Sequence, residues 1–158
     1  GTPQRLHVDG LCQMGVGAGI QRRLVPEIQK AFQFRATRTE RDIVACYDAA
    51  GGHFRARRDN TTAGTAHRRL AATIDLNDGF EGGELWFPEF GPRRYGPPMG
   101  GACVFSCSLL HEATPVTAGR RYACLPFLYD EAGAAVRLQN RGLLSDATLD
   151  LNTERAGA

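Results

Sequence analysis

Residues 69–76 read RLAATIDL. Leu70, Ala72, Ile74 and Leu76 alternate with Ala71, Thr73 and Asp75, a period of two that predicts a strand with two unlike faces. Similar short β-rich runs lie to either side: IVACY (43–47), HFRAR (53–57), ELWF (84–87), ACVFS (102–106) and RYACLPFLY (121–129). Glycine, proline, asparagine and aspartate separate them, in DAAGG (48–52), NDGFEGG (77–83), FGPRRYGPPMGG (90–101) and TAG (117–119). Many short strands at roughly ten-residue spacing indicate an antiparallel sandwich or barrel, not alternating βα units.

Helical spacing appears only at the flanks. In QRRLVPEIQKAF (21–32), Leu24, Ile28 and Phe32 recur on one face, with Pro26 in the first turns. A second helix is expected over EAGAAVRLQN (131–140), and SDATLDLNTERAGA (145–158) reads as a loose tail. LCQMGVGAGI (11–20) lacks the third glycine of a dinucleotide loop and reads as a flexible entry segment. The expectation is one domain over 1–158, with a β core at about 43–130, an N-terminal helix at about 20–33 and a C-terminal helix and tail from about 131.

The bulk numbers agree with a globular chain. It has 158 residues, 42% hydrophobic and 23% charged, enough to bury a core. A net charge of +2 does not by itself call for nucleic acid. No apolar run reaches the ~20 residues of a membrane span, and none follows a basic start as in a signal peptide. The opening GTPQRLHV reads as a shortened start. Five cysteines without a C-x-x-C pair suit reduced, mostly buried thiols, and the expected location is cytoplasmic.

The chemistry gathers around GGHFRARRDN (51–60) and HEATPVTAGRRY (111–122). A β scaffold can hold a non-haem iron with two imidazoles and one carboxylate, leaving open coordination positions. Asp59 can be the carboxylate and His111 the distant imidazole. Arg121 lies ten residues past His111, across a turn at Thr117–Gly119, where a hairpin would set it on the neighbouring strand. Its planar fork suits a carboxylate.

These stretches resemble the 2-oxoglutarate- and Fe(II)-dependent dioxygenases of the prolyl 4-hydroxylase type. IVACY with Tyr47 resembles the strand leading to the metal segment, and RDN (58–60) its H-x-D-N. LNDGFEGGELWFPE (76–89) and PPMGGACVFSCSLLHEATPVTAGRRY (97–122) resemble the family's later motifs. The resemblance runs from about Ile43 to Glu131. It implies a mainly β double-stranded β-helix, of the jelly-roll or cupin-like kind, with a helix before and after the core. It implies Fe(II) and 2-oxoglutarate, supported by ascorbate, and hydroxylation of a peptidyl, prolyl or small-molecule substrate with release of succinate and CO2. Asp59 and His111 would be metal ligands, Arg121 would hold the co-substrate's distal carboxylate, and Tyr47 would face the same pocket. Asp75 would lie on a strand where some members make a polar co-substrate contact.

One position departs. Where the resemblance calls for a histidine, two residues before Asp59, stands Arg57. Guanidinium stays protonated and is not a ligand. At about 5 Å from a divalent ion it would be repelled by roughly 6–7 kcal/mol. His53, about 13 Å along an extended strand from position 57, and His67 are the nearby alternatives. The other reading is a metal-free, non-catalytic module in which Arg57 pairs with Asp59. Substrate choice is expected from loops 60–67 and 90–99. Neither a nucleic acid nor a membrane is an expected partner.

Overall fold

The structure is a computed structural model; it describes residues 4–6, 16–40, 43–51 and 55–141. His7, Cys12, His53 and the expected tail lie outside the described residues. Its strands are β1 (Gln4–Leu6), β2 (Arg38–Thr39), β3 (Val44–Asp48), β4 (Leu70–Asp75), β5 (Glu81–Gly82), β6 (Leu85–Trp86), β7 (Arg94–Tyr95), β8 (Ala102–Ser106), β9 (Glu112–Ala113), β10 (Val116–Ala118), β11 (Arg120–Cys124) and β12 (Phe127–Tyr129). Helices α1 (Val16–Gly19) and α2 (Val25–Phe32) precede most of them, and α3 (Glu131–Arg141) follows. The entry segment expected to be flexible is thus helical from Val16.

A π-helical turn, Ile20–Leu24, joins α1 to α2. Pro26 has no N–H to bond one turn back. Just before it, the Val25 N–H reaches Ile20 O, five residues earlier. The wider turn keeps Ile20, Leu24 and Ile28 on one buried face.

The larger sheet runs β1-β8-β4-β11-β3, with β12 beside β4 and β2 beside β12. All its pairings are antiparallel. The alternation in 69–76 is realised, but every residue of β4 is buried, because both faces are covered. Leu70, Ala72 and Ile74 pack with Ala102, Val104 and Leu128 under Ile20, Leu24 and Ile28. Each buried Leu, Ile or Val here contributes roughly 1.5–3 kcal/mol on burial. The other face carries Ala71, which packs with Cys103, Phe105 and Phe127 against Leu85 and Phe87. Thr73 and Asp75 share that inner face by parity.

Short strands form the opposing layer: β5 with β10, and β6 between β7 and β9. Arg57 and His111 add an isolated antiparallel bridge. The result is a double-stranded β-helix with helices before and after it. The run 121–129 breaks at Leu125–Pro126, where the Ala72 N–H bonds Pro126 O between the β11 and β12 pairings.

The expected hairpin between His111 and Arg121 does not form. β10 pairs with β5 and β11 with β3 and β4. The chain crosses from one layer to the other at Gly119, which has φ +72°; a Cβ there would lie 2.4 Å from Gly79 O. Crossing layers sets Arg121 opposite Tyr47.

Candidate active site

The site lies between the two layers. Its inner wall comes from β4 and β11, its outer rim from 55–59 and 111–113. Asp59 is fixed through its backbone N–H, which donates to Cys107 O at 2.9 Å. Arg57 N–H donates to His111 O at 2.9 Å, and His111 N–H to Arg57 O at 3.0 Å. Residues paired this way project side chains to one face of a sheet.

His111 is buried, its ring centroid 4.6 Å from that of Phe105. Its Nδ1 lies 3.1 Å from Leu109 O. A carbonyl oxygen only accepts, so Nδ1 carries the proton and Nε2 faces the site. There Nε2 lies 3.2 Å from Asp59 Oδ2. Two donors bonded at about 2.1 Å to adjacent corners of a metal would stand roughly 3.0 Å apart. These two residues therefore have suitable spacing for a cation.

The third corner does not. Arg57 Nε lies 3.4 Å from Asp59 Oδ1, the other oxygen of the same carboxylate. Among the described residues no cluster of three histidine, cysteine or acidic side chains could hold a metal. His67 offers no substitute. It is buried with Nε2 2.5 Å from Glu40 Oε1. The described residues do not fit a three-ligand iron centre.

The inner end holds Arg121, only 2% exposed. Arg121 Nε donates to Asp75 Oδ1 at 2.8 Å and Nη2 to Thr73 Oγ1 at 2.7 Å. Nη2 is also 2.7 Å from Asp75 Oδ1. The Tyr47 ring lies beside this guanidinium, 5.4 Å from its central carbon. Burial pushes the Asp75 carboxyl above its ordinary pKa, against the pull of Arg121. Burial likewise raises the Tyr47 hydroxyl, against the charges of Arg121 and Arg57.

The pair Gly82-Gly83 lets the outer layer approach Arg121. Both have positive φ; a Cβ on Gly83 would stand 2.9 Å from Arg121 Cδ. The structure thus brings Tyr47, Arg57, Asp59, His111 and Arg121 around one pocket. Thr73 was not foreseen as a partner of Arg121, although its parity with Asp75 on an alternating strand pointed inward. Of the loops expected at the mouth, 60–67 contributes Thr61, Thr62 and Thr65 to a neighbouring groove of about 400 Å³.

No protein-family model matches the chain. It is 34% identical over 87 residues to a PKHD-type hydroxylase of Polaromonas sp. (strain JS666 / ATCC BAA-500), covering 49% of this chain and 38% of that protein. It is 30% identical over 122 residues to a PKHD-type hydroxylase of Pseudomonas fluorescens, covering 69% of this chain and 54% of that one. The chain thus spans about half or less of these relatives. Among solved structures, a Trichoplax adhaerens prolyl hydroxylase in complex with a hypoxia inducible factor peptide fragment superposes with TM-score 0.60. It is 22% identical, over 82% of this chain and 58% of that one. A Pseudomonas putida prolyl-4-hydroxylase gives TM-score 0.58 at 21% identity, over 80% and 70% of the two chains. Similarity to PKHD-type hydroxylases, together with a fold shared with prolyl hydroxylases, supports the resemblance to the 2-oxoglutarate/Fe(II)-dependent dioxygenase superfamily.

Proposed function

We propose that this chain is a metal-free, non-catalytic binding module on the oxygenase fold. The observation that carries the reading is the Arg57 guanidinium, 3.4 Å from Asp59 in the position facing His111. It brings a fixed positive charge to the corner where a third neutral donor would be needed, and it neutralises the carboxylate. The partner that suits the site is an acidic peptide. The groove beside the pocket sets Ile43 and Tyr47 beside Arg57, Arg58 and Arg68. Apolar contacts would hold the peptide, and its acidic groups would compete with Asp59, Glu89 and Glu40 for these partly exposed arginines. A structural neighbour that holds a peptide supports a peptide partner over a small molecule.

A second reading keeps the enzyme: hydroxylation of a peptidyl substrate with Fe(II), 2-oxoglutarate and O2, releasing succinate and CO2. The observation favouring it is the 3.2 Å convergence of Asp59 Oδ2 and His111 Nε2, together with the similarity to hydroxylases. The test is incubation with Fe(II), ascorbate, 2-oxoglutarate and a proline-containing peptide, following succinate. In parallel, a labelled hexaglutamate peptide is titrated with and without EDTA. The module reading expects no succinate above background and chelator-insensitive peptide binding. Metal-dependent succinate would replace it with the enzyme reading.

A further inference from the structure

The inner end of the pocket carries a second internal pairing, independent of the first. We infer that Asp75 closes Arg121 to a ligand carboxylate, so that this end accepts an uncharged polar group, such as a primary amide, in preference to a second carboxylate.

An arginine receives a carboxylate through parallel N–H donors, and its side-on edge consists of Nε–H and one Nη2–H. Nε–H donates to Asp75 Oδ1 at 2.8 Å, and Nη2 lies 2.7 Å from the same oxygen. Nη2 donates to Thr73 Oγ1 at 2.7 Å, which engages the end-on edge as well. Among the described residues, Nη1 makes no hydrogen bond or ion pair. The arrangement is not a surface accident: Asp75, Thr73 and Arg121 are 2–3% exposed. β4 holds Thr73 and Asp75 on the inner face, and the Gly83 approach holds the Arg121 stem. A ligand carboxylate arriving here would meet a neutralised arginine and a like charge beside it. An amide meets neither problem, since its oxygen accepts from Nη1 and its N–H donates to Asp75.

The inference concerns the inner end alone and does not depend on whether the outer end holds metal. Its test uses 2-oxoglutarate and its 5-amide, 2-oxoglutaramate, titrated into the metal-free chain by calorimetry or ligand-observed NMR. The expected result is that the amide binds the unsubstituted chain at least tenfold more tightly than the diacid. In Asp75→Asn the order reverses, with at least a tenfold gain for the diacid. Tighter binding of the diacid to the unsubstituted chain overturns the inference. So does failure of a folded Asp75→Asn to bind the diacid. If Asp75→Asn does not fold, the unsubstituted chain decides: tighter amide binding supports the inference, and any other order, or no binding, overturns it. Succinate release plays no part in this comparison, so it can fail while the module reading stands, and the reverse.

Discussion

Arg57 and His111 stand directly opposite each other, joined by two backbone hydrogen bonds of 2.9 and 3.0 Å. The pairing fixes where a side chain at position 57 must emerge: beside the His111 imidazole and above Asp59. The backbone of this corner is therefore fixed whatever side chain stands at position 57. The chemical identity of one side chain decides what the corner can hold.

Arg121 and Asp75 form a buried ion pair that should be costly to break from one side. Arg121→Met leaves Asp75 charged and unpaired, and should destabilise the fold by about 3–5 kcal/mol. Adding Asp75→Leu should recover most of the loss, since a buried pair replaced by apolar side chains is often neutral. A double-mutant cycle by urea unfolding checks both.

Gly83 is predicted to be intolerant of a side chain. Its φ is +68° and a Cβ would crowd Arg121 Cδ and Val116 Cγ2. Gly83→Ala should cost about 1–3 kcal/mol through the left-handed backbone alone. It should also loosen Arg121, seen as a shift of the Arg121 Nε–H resonance. A folded variant with unchanged stability and spectrum would contradict this packing.

Much of this was legible in the sequence, for local reasons. β4 announced itself because alternation is carried by adjacent residues. The motifs single out Tyr47, Asp59, His111 and Arg121, and the structure gathers them around one pocket. What escaped was non-local. Strands of two residues, such as β7, carry no periodicity to detect. The change of layer at Gly119 depends on Gly79, forty residues earlier in the chain. The run 53–57 looked like a strand, yet in its described part only Arg57 pairs, because one bridge opposite His111 suffices to fix it. The bond from Arg121 to Asp75 joins strands far apart in the chain, and no motif announces it.

His67 should make the fold acid-sensitive. It is buried, and its Nδ1 has no hydrogen-bond partner among the described residues. Burial pushes its pKa below the ordinary 6.5, against the pull of Glu40. The unfolded chain therefore takes up the proton first, and stability should fall as pH drops below about 6.5. Burial works to raise Glu40, but Arg68 and His67 outweigh it, so its carboxyl lies below the ordinary 4.5. That contribution is lost at still lower pH. His67→Gln should flatten the first decline and leave the second. Urea midpoints across this range check it; an unaltered first decline in the variant would assign it elsewhere.

On the reading proposed above, Arg57 alone withholds a metal from an otherwise prepared site. The most direct measurement is an anaerobic Fe(II) titration of this chain beside Arg57→His, followed by calorimetry. The expected result is one bound equivalent in Arg57→His and no site-specific binding in the unsubstituted chain. Equal, stoichiometric Fe(II) binding by both would contradict the claim and return the chain to the enzymes it resembles.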